Sequence, residues 1–146
     1  MRAEGIQQWD EIYPDLPVVE NDIAKHTLFV IREAGRCLAT ICLNDVQPEQ
    51  YADLPWEYRD GRALVIHRLC VDPAAQQRGA ARALMDFAEQ LARESGFASI
   101  RLDAYTGNPR ALALYDRRGY RRVGQTNFPR RSLPFICFEK DVTMFP

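Results

Sequence analysis

Two stretches of this chain and one interrupted strand hold the residues whose types and spacing could do chemistry. In the first, Asp72-Pro-Ala-Ala-Gln-Gln-Arg-Gly79 leads from an apolar segment straight into Ala80-Ala-Arg-Ala-Leu-Met85. A helix starting there leaves its first backbone N–H groups without intrahelical acceptors, and the helix dipole adds positive charge where they point. Amides from Gln77 to Arg82 would then seat a phosphate or diphosphate. Gly79 permits a close backbone approach, Ala80 and Ala81 keep the entrance free of bulk, and Arg78 and Arg82 add charge beside the amides. The second stretch, Asn108-Pro-Arg-Ala-Leu-Ala-Leu-Tyr115, opens with a helix-capping asparagine and a proline suited to the first helical position. The interrupted strand is Ala63 to Val71, apolar except for His67 and Arg68. An imidazole with a reference pKa of about 6.5 can take a proton directly or through water, although a lone histidine in an apolar strand is more often a packed core residue. Asp103 and Glu57 are weaker rivals for that task.

These residues need a scaffold, and the hydrophobic pattern supplies one. Thr27 to Arg32 and Arg36 to Leu43 are β-rich and separated by Glu33-Ala34-Gly35, which predicts an antiparallel hairpin. Asn44 to Gly61, with Pro48 and Pro55, reads as a long loop. Ala63 to Val71 suits a central strand buried on both faces. Ala81, Leu84, Met85, Ala88, Leu91 and Ala92 form one apolar helical stripe that Gly96 stops. In Ser99 to Tyr105, Ile100, Leu102 and Ala104 alternate with Arg101, Asp103 and Tyr105, so this strand–helix–strand unit predicts two parallel strands. A helix from Asn108 to Gly119 and a final antiparallel pair, Tyr120 to Phe128 and Leu133 to Asp141, complete the reading. Upstream, Glu4 to Pro17 is restricted by Pro14 and Pro17 to loop or short turns, and a short helix is expected near Val18 to Lys25.

The totals narrow the function classes. A chain of 146 residues suits one domain spanning 1–146. A formal net charge of -1 gives no basic field of the kind that draws nucleic acid. No apolar run approaches the roughly 20 residues that span a bilayer, and no signal-peptide core opens the chain, so a cytoplasmic protein without a membrane partner is expected. Cys37, Cys42, Cys70 and Cys137 lie singly in strand-like segments, which predicts buried reduced thiols and no metal site.

Taken together, the two helix-opening motifs resemble the GNAT superfamily of acyl-CoA-dependent N-acetyltransferases. The pattern Gln/Arg-x-x-Gly-x-Gly/Ala is met by Gln76, Gly79 and Ala81, and Asn-x-x-Ala-x-x-Leu-Tyr by Asn108, Ala111, Leu114 and Tyr115. The resemblance runs from about Thr27 to Lys140 and departs at Gln77 and Ala81, where many members carry glycine. It implies an α/β fold with a central mixed sheet flanked by helices on both faces, its two parallel strands splayed near a bulge. The N-terminal strand and helix are expected to be missing or shortened, which leaves Thr27 to Arg32 as an exposed edge and predicts self-association, for instance as a homodimer, or low solubility.

The resemblance also implies roles. Acetyl-CoA would be the co-substrate, its pantetheine arm lying in the splay against main-chain groups of Leu69 and Val71, with Asn108 touching the arm, capping its helix, or both. Gln76, Gln77, Arg78, Gly79, Ala80, Ala81 and Arg82 would hold the diphosphate, and Arg117 and Arg118 are candidates for the nucleotide's 3′-phosphate. An amide near Leu69 would face the thioester oxygen, where negative charge grows as an amine attacks. Tyr115 would protonate the departing thiolate as general acid, and His67, on the same face as Leu69 under strict alternation, is the candidate base. Trp9, Tyr13, Trp56, Tyr58 and Phe128 are expected to line the slot for a small-molecule or protein amine. Acyl transfer through Cys70 carries little weight. The alternative function is a non-catalytic acyl-CoA-binding sensor or structural module; a phosphate-loop hydrolase is disfavoured because no Gly-Lys-Ser/Thr follows the turn.

Overall fold

Six strands and two helices make up the computed structural model, which describes residues 27–58, 61–73 and 79–143. The hairpin comes first. Strands β1 (Leu28–Glu33) and β2 (Arg36–Asn44) pair from Leu28↔Cys42 to Glu33↔Arg36, leaving a two-residue turn, Ala34-Gly35, with φ of 53° and 76°. Two positive φ values match the right-handed twist of the flanking strands, and they draw Glu33, expected in the turn, into β1. Cys37 lies beside this turn and is exposed, unlike buried Cys42 and Cys137, with Cys70 between the extremes; all four are free thiols.

The central strand β3 spans Ala63–Val71, β4 spans Ser99–Tyr105, and helix α1 (Ala80–Glu94) joins them as the apolar stripe requires. Helix α2 covers Pro109–Arg117. Strands β5 (Arg121–Thr126) and β6 (Phe135–Asp141) are shorter than their apolar patterns suggest. The Tyr120 N–H is spent on the Tyr115 carbonyl at 3.1 Å, closing α2, so the strand starts one residue later. Strand order is β1-β2-β3-β4-β6-β5, antiparallel at every step except β3–β4.

One face of this sheet carries Ala39, Ile41, Leu43, Leu64, Ile66, Ile100, Leu102 and Phe138, packed against Leu84, Met85, Ala88 and Ala92 of α1 and Tyr115 of α2. Among the described residues both helices lie on this face. The opposite face is covered over β3, β4 and β6 by the loop after β2, whose Tyr51 and Trp56 pack on Val65 and Cys137. A 3-10 turn at Glu49–Tyr51 gives that loop local structure. The helix expected near Val18 to Lys25 lies outside the described residues.

Candidate active site

The site is built on a fault in β3. Cys42 pairs with His67 and Thr40 with Cys70, so two residues, Arg68 and Leu69, stand opposite the single Ile41. Arg68 takes the left-handed backbone conformation at φ 51°, the signature of a bulge that inserts one residue and reverses the alternation beyond it. Side chains report the reversal: Leu64 and Ile66 lie on the helix face before the bulge, and Leu69 and Val71 lie there after it. Strict alternation would instead place Leu69 and Val71 with His67. The bulge therefore corrects one sequence expectation, because His67 points to the face opposite Leu69.

Main-chain groups are reversed as well. Asp72 donates its N–H to the Leu38 carbonyl at 2.8 Å, so Cys70 and Asp72 turn their hydrogen-bonding groups toward β2. By alternation, those of Leu69 and Val71 turn toward β4. Yet β3 and β4 pair only from Ala63↔Ser99 to Val65↔Arg101. Beyond that point β3 stays with β2 as far as Val71↔Ala39, and β4 stays with β6 as far as Tyr105↔Phe135. The two half-sheets diverge, and the Leu69 and Val71 amides and carbonyls face the opening without a strand partner. Such groups need hydrogen-bond partners, and an extended amide-bearing ligand laid between the half-sheets would supply them.

Helix α1 opens near the same cleft. Gly79 precedes it at φ 82°, with no side-chain cap and no acidic residue in the first turn. A Cβ at Gly79 would meet nothing within 4 Å, so the positive φ, rather than crowding, selects glycine there. The start of α2 differs: the Asn108 side chain accepts the Ala111 N–H at 3.2 Å and Pro109 follows it. One helix satisfies its first donors locally, whereas the other leaves Ala80, Ala81 and Arg82 presenting theirs outward. Gln76, Gln77 and Arg78 lie outside the described residues, as do Trp9 and Tyr13.

Proton-handling groups stand on both sides of the opening. On the helix face, Tyr115 is 5% exposed, with its ring 5.5 Å from Phe138 and 5.9 Å from Tyr120. Burial raises its pKa well above the ordinary phenol value, and the nearby charge of Asp103 raises it further. On the other face, His67 and Asp103 occupy matching positions, each two residues past the last β3–β4 pair, Val65↔Arg101. His67 Nε2 lies 2.8 Å from Asn44 Oδ1, an oxygen that also accepts the Val46 N–H at 2.9 Å. That contact makes Nε2 the donor and, in the neutral ring, Nδ1 the accepting nitrogen. Asp103 is half-buried; desolvation lifts its carboxyl to about 6, opposed by a hydrogen bond from the Tyr51 hydroxyl of 2.6 Å. Cys137, paired with Asp103 across β4–β6, is pushed up to about 12 by burial and then by the Asp103 charge.

The sheet topology and the cleft can be set beside known proteins. A family model described as Acetyltransferase (GNAT) family matches residues 2–120. The chain belongs to this family of acetyltransferase enzymes. Human N-acetyltransferase 8 is 29% identical over 123 residues, covering 82% of this chain and 53% of that protein. The chain therefore spans about half the length of that curated relative. A crystal structure from Staphylococcus aureus Mu50, assigned as an acetyltransferase, aligns with a TM-score of 0.72 at 31% identity, covering 89% of this chain and 81% of that one. Ard1 from Thermoplasma volcanium shares the fold, with a TM-score of 0.70 at 20% identity over 86% of this chain and 78% of its own.

Several GNAT positions expected to touch acceptor or nucleotide have other neighbours. Trp56 is 4% exposed, its indole donates to the Tyr51 carbonyl at 2.8 Å, and the Arg101 guanidinium stacks 4.3 Å from its ring centroid. Tyr58 is half-buried and gives its N–H to Glu139 at 3.1 Å while its carbonyl accepts from Arg101 at 3.1 Å. Phe128 is half-buried edge-on to Phe135 at 4.9 Å. Arg118 is tied to Asp86 at 2.7 Å and Glu89 at 3.1 Å, linking the end of α2 to α1, whereas Arg117 is exposed. Glu57 is exposed, with its carboxylate 3.6 Å from Arg121 and its N–H on Glu139. Among the described residues no three His, Cys, Asp or Glu side chains cluster as a metal site would require.

Proposed function

We propose that this GNAT domain moves an acetyl group from acetyl-CoA to a primary amine by direct attack. The observation that carries the reading is the splay itself: a bulge in β3 turns Leu69 and Val71 main-chain groups toward an opening, and the uncapped start of α1 follows closely in the chain. In this reading Leu69 and Val71 hold the amide-bearing arm, and the amides of Gly79 to Arg82 hold the diphosphate together with Gln76, Gln77 and Arg78. An amide at the bulge faces the thioester oxygen as it gains charge. Bound there, acetyl-CoA supplies the activated acyl group.

Asp103 takes the proton of the attacking amine, directly or through water, because its carboxyl sits beside the opening and is held near the working pH range. Tyr115 stays protonated and gives its hydroxyl proton to the departing sulfur. His67 remains a second candidate base, but its hydrogen bond to Asn44 gives it a role in joining β3 to β2. Small-molecule and protein amines both suit this reading, reaching Asp103 through the opening between β3 and β4. The same proposal includes a cytoplasmic setting, consistent with four free thiols, and self-association along β1, one of the two edge strands among those described.

Acetyl-CoA at about 100 times its dissociation constant should stabilise the fold by about 2.7 kcal/mol in a melting experiment. Thiol release with an amine panel should then fall in Tyr115→Phe while CoA binding persists. Absence of a melting shift with any CoA thioester would remove the whole reading. Binding without thiol release for every amine would leave a sensor or structural module.

A further inference from the structure

The loop between β2 and β3 holds Tyr51 in a setting more elaborate than packing requires. Tyr51 is 1% exposed, and its ring lies 5.0 Å from Trp56. Trp56 is pinned by its indole hydrogen bond to the Tyr51 carbonyl and by Arg101 over its face. Arg101 also binds Gln47 at 2.6 Å and the Tyr58 carbonyl, while fully buried Glu139 accepts the N–H groups of Glu57 and Tyr58 and pairs with Arg121 at 2.5 Å. The loop is thus fastened to β4, β5 and β6, with one hydroxyl from it directed at the Asp103 carboxylate 2.6 Å away. A contact of 2.6 Å falls within the range of a hydroxyl donating to a carboxylate oxygen.

We infer that Tyr51 is a positioning residue of the acetyl-transfer site: its hydroxyl orients the Asp103 carboxylate and stabilises its ionised form. The inference rests on the reading of Asp103 as proton acceptor. Burial favours the neutral carboxyl, whereas a donor to the charged form opposes that effect. The other titratable groups around Asp103 are Cys137 from β6, Tyr115 from α2, Arg101 and Tyr105 from its own strand and His67 at the matching position of β3. Among them the Tyr51 hydroxyl is the one with a hydrogen bond to Asp103 and with a backbone locked by a network remote from the cleft.

The test is the pH profile of kcat/KM for wild type, Tyr51→Phe and Asp103→Asn, together with a carbon-13 titration of the Asp103 carboxyl in the first two. Tyr51→Phe should move the acidic limb and the carboxyl titration upward by about 1 pH unit, with Tm measured to separate the effect from unfolding. Site-specific replacement of Tyr51 by 3-fluorotyrosine, a stronger donor of nearly the same shape, should move both downward and serves if the phenylalanine variant does not fold. A carboxyl titration that stays in place in the substituted protein overturns the inference. If Asp103→Asn keeps wild-type rate and profile, the proton-acceptor reading fails instead. If Asp103→Asn abolishes the limb and loss of the Tyr51 hydroxyl leaves it unmoved, only the inference about Tyr51 fails.

Discussion

The two faces of the sheet are built on opposite plans. Toward α1 and α2, β2, β3, β4 and β6 present aliphatic and aromatic side chains to Leu84, Met85, Ala88 and Ala92, and Tyr115 and Tyr120 are the ionisable side chains in that cluster. Toward the Tyr51–Trp56 loop β3, β4 and β6 present His67, Arg101, Asp103 and Glu139, engaged by specific hydrogen bonds and ion pairs. The first face is held mainly by burial, which is non-directional and tolerates sliding, with one polar cluster where Tyr120, Arg118 and Lys140 meet Glu89 of α1; the second is held by directional contacts, which fix atoms but need every partner. A proton acceptor belongs on the second kind of surface, and the β3–β4 splay is where the two surfaces meet.

This contrast implies that substitutions on the loop-covered face should change rate and that those on the helix face, Tyr115 apart, should change stability. The largest effect is expected from Asp103→Asn, with kcat/KM falling by about 100- to 10,000-fold, or about 3–5 kcal/mol. Its stability should move the other way. The folded-state carboxyl titrates at about 6, above the ordinary value of 3.8, so stability is fully present below the ordinary value and is lost as pH rises through about 6. Melting curves should therefore place Asp103→Asn above wild type at pH 8, with the gap closing toward pH 4. A constant gap would break the contrast.

Next in size is Met85→Ala. Met85 is completely buried in the helix-face cluster, and the cavity should cost about 2–5 kcal/mol in chemical denaturation. At a temperature where the variant remains folded, its rate should stay near that of wild type. Asn108→Ala removes the side-chain acceptor for the Ala111 N–H and should cost about 1 kcal/mol; a much larger loss of CoA affinity in isothermal titration would assign Asn108 to the cleft as well as to the cap. Smallest is Ala34→Gly in the β1–β2 turn, where φ is 53°. Relief of that backbone cost should raise stability by about 0.5–1 kcal/mol without touching the rate.

Much of this molecule is legible in its sequence because the information is local. The apolar period of 81–92 predicts α1, the alternation in 99–105 predicts β4, and Asn108-Pro109 marks the start of α2 within one residue. Gly79 before a small-residue helix likewise announces an uncapped start. The faces of β3 are not legible in the same way. A bulge changes which residues share a face, yet neither His67 nor Arg68 signals the positive φ that produces it. Tyr51 is harder still, since its partner Asp103 is 52 residues away and the loop joining them has no repeating pattern.

What the chain's own order of residues determined is therefore the set of elements and the helix start that suits an anion, because hydrogen-bonding periodicity and capping act over a few neighbouring residues. The tertiary structure decided where the parallel strands part, which way His67 faces, and that Trp56 and Tyr58 fasten a loop whose hydroxyl meets Asp103. Those outcomes depend on register between distant strands and on burial of charge. Both are properties of the assembled sheet, and neither is carried by any single segment.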